Sequence, residues 1–289
     1  MITRFAPSPT GPLHLGHAYS ALLAHDMAME TGGEFLLRIE DIDQSRSRPA
    51  WEAQIYDDLR WLGLRWPDPV MRQSDRMPAY REKLDWLWNN DDVFACSCSR
   101  RDIEAAVAAP QEGAQPEFGP DGLIYPGTCR SVRSLSGRLC QPEDTALRLD
   151  IRSAIEAAKD SIFSFSETGS GPNGETGLIE FSAKDAIKDI GDIVLARKDM
   201  GTSYHLSVVM DDAAQNITHV VRGQDLFEAT KIHVILQRLL GLSTPTYHHH
   251  GLIRDDAGKR LAKRDDARAL SKFRADGASP EDIRAMVGL

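Results

Sequence analysis

The stretch Arg4-Phe5-Ala6-Pro7-Ser8-Pro9-Thr10-Gly11-Pro12-Leu13-His14-Leu15-Gly16-His17 decides how this chain folds. Residues 2–6 read as a short apolar strand, and Pro7, Pro9, Gly11 and Pro12 break it into a loop. From Leu13 to Glu30 the pattern is helical, with Leu13, His17, Ala21, Ala24 and Ala28 on one face, and Thr31-Gly32-Gly33 stops it. Glu34 to Glu40 then reads as a buried strand. Strand, loop, helix, strand is the opening of a parallel α/β sheet. A strand passing through a rigid turn into a helix N-terminus aims free backbone N–H groups at an anion. His14 and His17 share a face of the first helical turn, and Gly16 between them leaves room for a flat ligand. The spacing is neither that of a dinucleotide-binding loop nor that of a Walker loop. Taken alone, His-x-Gly-His also fits a capped helix with two surface histidines.

Residues 49–63 and 77–90 read as helices. Residues 93–180 change character: they hold all four cysteines, Gly/Pro-rich loops, and weakly amphipathic strands at Ala146–Ile151 and Ser161–Ser166. They are read as an insertion between a first half of the core, 1–92, and a second half, 181–241. In that second half, strands are expected at Asp192–Ala196 and His219–Val221, with an apolar segment at Leu206–Met210 between them and a helix at Phe227–Leu240. Residues 242–289 form a tail with a basic loop and short helices.

The 289 residues suffice for one large α/β domain with an insertion, or for two small domains. No apolar run reaches membrane-spanning length, and the N-terminus lacks a signal-peptide pattern, so a cytoplasmic protein is expected. A net charge of −9 argues against nucleic-acid binding through overall charge but leaves room for a local basic surface. Four cysteines are too few for a disulfide scaffold, and Cys96-Ser97-Cys98 suggests a metal before a disulfide.

Further segments carry chemistry. Arg38-Ile39-Glu40-Asp41-Ile42-Asp43 ends a strand, where open α/β sheets bind ligands. Glu40 suits a ligand ammonium, and Arg4 a ligand carboxylate through a bidentate pair. Arg222, at the end of the His219–Val221 strand, is a second arginine suited to choosing a side-chain carboxylate over an amide. Lys259-Arg260-Leu261-Ala262-Lys263-Arg264 is a basic loop. Two cysteine-bearing segments, Cys96-Ser97-Cys98 and Tyr125-Pro126-Gly127-Thr128-Cys129, offer enough ligands for a tetrahedral zinc, with Cys140 an alternative to Tyr125.

Taken together, these segments resemble the class I aminoacyl-tRNA synthetases in their glutamyl form. The likeness covers nearly the whole chain and includes Ser203-Tyr204-His205 through Asp212 and Thr218 through Asp225. It implies a Rossmann-like catalytic core with an inserted zinc-containing subdomain and a short C-terminal helical tail. It implies that His14, Gly16, His17, Arg260 and Lys263 contact ATP, with His14, His17 and Lys263 stabilising charge in the transition state. Arg4, Phe5, Ala6, Pro7, Ser8, Glu40, Tyr204 and Arg222 are the implied glutamate contacts. Ala262 stands where the second signature usually has serine, which puts a serine-dependent contact in doubt. The resemblance favours Cys96, Cys98, Tyr125 and Cys129 as ligands of one structural zinc, since a Tyr-x-x-x-Cys second pair is typical of one subfamily.

That pair, and an expected end at Leu289 without an anticodon-reading domain, resemble the glutamyl-queuosine tRNA(Asp) synthetases. The expected activity is ATP- and Mg²⁺-dependent, tRNA-independent activation of glutamate, then transfer to queuosine in the anticodon loop of tRNA(Asp), by a monomer. The alternatives are a truncated glutamyl-tRNA synthetase charging a 3′ end, or a non-catalytic RNA-binding paralogue.

Overall fold

The computed structural model describes residues 1–108, 117–130, 142, 145–253 and 268–289. β1 (Ile2–Phe5), α1 (Leu15–Glu30) and β2 (Glu34–Ile39) form the expected opening unit, with β1 and β2 parallel and Arg4 opposite Leu36. After α2 (Pro49–Trp61), β3 (Met71–Arg72) joins β2 in parallel, and α3 (Met77–Asn89) follows.

A second parallel group lies on the other side of β1. It consists of β11 (His219–Gly223), β12 (Thr246–His250) and β8 (Ile162–Glu167), with β9 (Gly177–Ser182) antiparallel on β8. β1 lies beside β11, where Thr218 N donates to Ile2 O at 3.0 Å and Ile2 N to Thr218 Oγ1 at 2.8 Å. The layer therefore runs β3-β2-β1-β11-β12-β8-β9, and the chain changes direction across it between β1 and β11. Such a switch point opens a crevice at the carboxyl ends of the strands.

Both faces of the layer are covered. Phe35, Leu37 and Ile39 alternate onto one face and bury against Ala21 and Leu22 of α1 and Ile55 and Leu59 of α2. α10 (Pro280–Val287) closes that face through Ile283 and Val287, with Arg284 paired to Asp26 of α1 at 2.6 Å. On the other face lie α7 (Tyr204–Ala214), α8 (Ala229–Leu239), which links β11 to β12, and α5 (Ile151–Ala158).

The structure redraws several expected elements. The strand expected at Ala146–Ile151 is β7 (Ala146–Leu149), because the Asp150 side chain accepts from the N–H groups of Arg152 and Ser153 and starts α5. The apolar segment Leu206–Met210 lies within α7, capped by Ser203. The tail is more than a loop and short helices: residues 246–250 are β12, between β11 and β8. Its polar sequence hides a buried strand in which Tyr247 is 1% exposed and His249 1%.

Sheet pairing also crosses the expected boundary at residue 180. β10 (Val194–Ala196) pairs antiparallel with β7, which pairs with β4 (Val93–Cys96), whereas β8 and β9 belong to the main layer. α4 (Arg100–Ala108) and the hairpin β5 (Phe118–Gly119)–β6 (Gly122–Leu123) follow β4. Among the described residues no helix is long and apolar enough to cross a membrane.

Candidate active site

At the carboxyl edge of β1, β2, β11 and β12 lies a cavity of about 380 Å³. It brings together Arg4, Phe5, Ala6, His14, Gly16, His17, Glu40, Tyr204 and Arg222, from four separate parts of the chain. Ser8 lines a larger adjoining cavity, and Pro7 is buried behind the site, where its carbonyl accepts the Glu40 N–H at 3.0 Å. Arg260 and Lys263 lie outside the described residues. The described residues on either side of them reach the cavity: Ile253 lines it, and Ala269 bridges to His14, with Leu270 N donating to Leu13 O at 2.8 Å.

His14 is the N-cap of α1 and His17 sits one turn on, their ring centroids 3.8 Å apart. His14 Nδ1 accepts from Gly16 N at 3.1 Å, and His17 Nδ1 accepts from His14 N at 3.1 Å. Each neutral ring must then carry its proton on Nε2. The helix cap thus sets both tautomers and supplies two N–H donors, beside the positive end of α1, suited to an anion. A Cβ at Gly16 would stand 3.1 Å from the His14 ring, so glycine there makes room for the imidazole as well as for a ligand.

Behind Glu40 lies a buried network of charges. Arg4 Nε and Nη2 donate to the two oxygens of Asp212 at 2.9 and 3.3 Å. Arg38 donates to Asp212 at 2.7 Å, to Gln215 at 3.0 Å and to Glu40 at 3.1 Å. Arg4, the expected carboxylate ligand, therefore already has a bidentate partner, and its Nη1 also donates to the Val221 carbonyl at 3.5 Å. Burial works to raise the Asp212 carboxyl, but the charges of Arg4 and Arg38 outweigh it and hold Asp212 below the usual range. At Glu40 burial wins over Arg38 and Arg4 and raises the carboxyl. An ammonium arriving beside Glu40 would reverse that shift and bind through the charged form.

Arg222 differs from Arg4 and Arg38. It is 6% exposed, and among the described residues no carboxylate pairs with it. Its Nε donates to His249 Nε2 at 3.1 Å, Nη1 to His233 Nδ1 at 3.1 Å and Nη2 to Thr230 Oγ1 at 2.6 Å. Three of its five N–H groups are thus held by neutral acceptors, and two remain for a ligand in the cavity. Tyr204, the first residue of α7, stands over the same space, and burial raises its hydroxyl so that it stays a neutral donor.

Apart from this cavity, Cys96, Cys98 and Cys129 converge, their sulfurs all within 4.8 Å of one another. The Tyr125 hydroxyl lies 3.4 Å from Cys96 Sγ and 3.5 Å from Cys98 Sγ. These four donors fit one tetrahedral metal of the zinc type. Cys140 lies outside the described residues. Burial pushes the Cys98 thiol up to about 11, whereas at Cys129 burial is outweighed by the Tyr125 hydroxyl and the Ser97 N–H, which bring it to about 7. Arg148 donates to Cys96 Sγ at 3.4 Å and stacks over the Tyr125 ring at 4.1 Å, where it would offset the excess negative charge of three thiolates if they held a dication.

The family model for the catalytic domain of class I tRNA synthetases (E and Q) matches residues 1–160 and 168–289. A glutamyl-Q tRNA(Asp) synthetase of Rhodobacter capsulatus is 63% identical over 289 residues, covering 100% of both chains. The chain belongs to the glutamyl-Q tRNA(Asp) synthetase family. A family member from Rhodopirellula baltica is 39% identical, covering 98% of this chain and 82% of that one. A crystal structure of a glutamate tRNA ligase from Elizabethkingia meningosepticum in complex with its amino acid shares the fold, with a TM-score of 0.73 at 24% identity. It is covered over 100% of this chain and 60% of that one. The protein is accordingly a ligase of the class I tRNA synthetase type.

The larger cavity of this synthetase, about 870 Å³, shares Glu40 and Tyr204 with the smaller one. Its lining mixes charges, with Arg46, Arg100, Arg148, Arg197 and Lys198 beside Glu40, Asp43, Glu104, Asp121 and Asp192, and Cys98 and Tyr125 border it, so the cysteine cluster shapes its wall. Sequence reasoning missed Asp212, His233 and His249 as parts of the site. The run Tyr247-His248-His249-His250 at a strand end was the available signal for His249 and for His250, whose Nε2 meets Ser20 Oγ at 2.7 Å in the smaller cavity.

Proposed function

We propose that this synthetase joins glutamate to ATP as glutamyl-adenylate without requiring tRNA, and then transfers the glutamyl group to queuosine in the anticodon loop of tRNA(Asp). The observation that carries the reading is the pairing, in one cavity, of the buried Arg222 cation without a carboxylate partner among the described residues, and the Glu40 carboxylate. Their opposite charges match the side-chain carboxylate and the ammonium of glutamate, and Arg222 would be left partly unpaired by glutamine. The α-carboxylate oxygen attacks the α-phosphorus of ATP, and pyrophosphate leaves. His14 and His17 donate from Nε2 to phosphate oxygens as charge builds, Gly16 leaves the approach open, and Lys263 and Arg260 act on the same phosphates. Mg²⁺ accompanies ATP as its counter-ion.

The second step needs an acceptor hydroxyl at the activated carbonyl. The two cavities meet at Glu40 and Tyr204, so an acceptor in the larger cavity has access to it. The hydroxyl attacks the carbonyl carbon, AMP leaves, and an ester forms. The names carried by the relatives support a queuosine acceptor, whose cyclopentene diol offers the same nucleophile as a ribose diol. RNA loops present splayed bases that a pocket reads by stacking and edge contacts, and cations such as Arg100, Arg197 and Lys198 among the mixed lining suit the backbone. Zinc held by Cys96, Cys98, Cys129 and Tyr125 would be structural, fixing the wall of the acceptor cavity.

The test is incorporation of labelled glutamate into tRNA(Asp) with and without queuosine, and with its 3′ end removed. Labelling that needs queuosine and ignores the 3′ end is expected. Labelling that needs the 3′ end and ignores queuosine would establish a glutamyl-tRNA synthetase charging a 3′ end instead.

A further inference from the structure

The neutral partners of Arg222 are themselves held from behind. His249 Nδ1 lies 2.5 Å from Glu167 Oε2, and both side chains are completely buried. Glu167 Oε1 accepts from the backbone N–H groups of His249 and Gly169, each at 2.8 Å. A Cβ at Gly169 would fall 2.2 Å from the His249 carbonyl oxygen, so glycine is what lets the end of β8 come this close to β12. Guanidinium has no lone pair, so His249 Nε2 must accept from Arg222, and the ring proton must sit on Nδ1, facing Glu167. On the other side His233 Nδ1 accepts from Arg222, and its Nε2–H meets His205 Nδ1 at 3.1 Å. Burial keeps His249 and His233 below the usual imidazole range, and the Arg222 charge acts in the same sense.

A carboxylate placed directly on Arg222 would neutralise it, as Asp212 does for Arg4. An imidazole interposed between cation and carboxylate transmits direction without cancelling the charge. We infer that Glu167 is a positioning residue for amino-acid selection: by holding His249 in its Nδ1–H tautomer it fixes Arg222 through a neutral acceptor, leaving the cation for the ligand's side-chain carboxylate. This rests on the reading that Arg222 receives that carboxylate.

Glu167→Gln tests it with almost no change of shape. The amide oxygen can keep the two backbone N–H groups, which puts the amide nitrogen against His249 Nδ1. The ring proton then moves to Nε2, where it meets the Arg222 Nε–H donor to donor. The expected result is a glutamate Kd by calorimetry, and a glutamate KM in ATP–pyrophosphate exchange, raised at least about tenfold. The KM for ATP and kcat should stay within about twofold, since the phosphate contacts are untouched. Preference for glutamate over glutamine should fall, and ¹⁵N imidazole spectra should show His249 changing from the Nδ1–H to the Nε2–H form. Unchanged glutamate affinity, a fall in kcat in place of the rise in KM, or an unchanged His249 tautomer would each overturn the inference.

His249→Gln, which still presents an oxygen to Arg222, compared with His249→Leu, which does not, repeats the test should Glu167→Gln fail to fold. The first should keep KM within about threefold and the second raise it at least about tenfold. Equal effects would overturn the inference. Arg222→Gln separates the two claims. If it spares glutamate selection, the reading of Arg222 is wrong. If it abolishes selection while Glu167→Gln spares it, only the positioning role fails.

Discussion

Replacing Arg222 by glutamine should remove glutamate recognition while leaving the unliganded fold nearly as stable as before. Arg222 donates hydrogen bonds to His249, His233 and Thr230, and a glutamine amide cannot reach all three. Losing one or two of these charge-assisted bonds costs about 1.5–3 kcal/mol each. Against that, the variant no longer buries a cation without a carboxylate partner, a desolvation penalty worth several kcal/mol before its hydrogen bonds are counted. The two effects offset, and the unliganded midpoint should move by less than about 4 °C. Binding has no such compensation: losing a charge-assisted, two-point contact to the glutamate carboxylate costs about 3 kcal/mol, roughly 150-fold in Kd.

Thermal unfolding with and without L-glutamate reads both quantities at once. At a glutamate concentration 100 times the wild-type Kd, ligand stabilisation is about 2.7 kcal/mol, which for a chain of this length is about 5 °C. At the same concentration the variant should gain about 0.3 kcal/mol, under 1 °C. A variant that keeps half or more of the wild-type shift, or whose unliganded form collapses, would refute the assignment of Arg222 as a cation reserved for the ligand.

Asp212→Asn should destabilise the protein by about 3–5 kcal/mol in urea unfolding, because Arg4 and Arg38 would share only Glu40; a loss under about 1 kcal/mol would contradict a structural role for the network. Asp58, 1% exposed and with Oδ2 lacking a hydrogen-bond partner, is pushed up to about 6, chiefly by burial and then by Asp57. A carboxyl raised on folding contributes stability below the unfolded pKa, near 4, and loses it as pH rises through about 6. Asp58→Asn should therefore stabilise by about 1 kcal/mol at pH 7.5, after allowance for water screening, and by nothing at pH 4; equal effects at both pH values would disprove the cause. Elemental analysis should find one zinc per chain, lost in Cys98→Ser and retained in Cys140→Ser, and metal-free native protein would remove the site. Lys263→Ala should slow ATP–pyrophosphate exchange by about 10²–10³ with little change in glutamate Kd, and an unchanged rate would move the role to Lys259 or Arg260.

The opening β1-α1-β2 unit was legible because periodicity and loop chemistry are local: Pro7, Pro9 and Pro12 end a strand, and His14 caps a helix through its own neighbours at Gly16 and His17. That Glu40 and Arg222 would face one crevice was legible because both sit at or just beyond a strand's carboxyl end, the edge at which a parallel sheet opens. Three cysteines and Tyr125 could be grouped from their spacing and the family likeness. Tertiary structure alone decided which arginine keeps its charge available. Arg4 and Arg222 look equivalent as letters, but Asp212, 208 residues from Arg4, neutralises one, while His249 and His233 hold the other without cancelling it. It also decided that β10 pairs with β7 while β8 and β9 join the main layer, and that the polar run at Thr246–His250 is a buried strand. The physical reason is the same in each case: charge compensation and sheet membership depend on what lies across a few ångströms of space, and periodicity along the chain records only which side of an element is apolar.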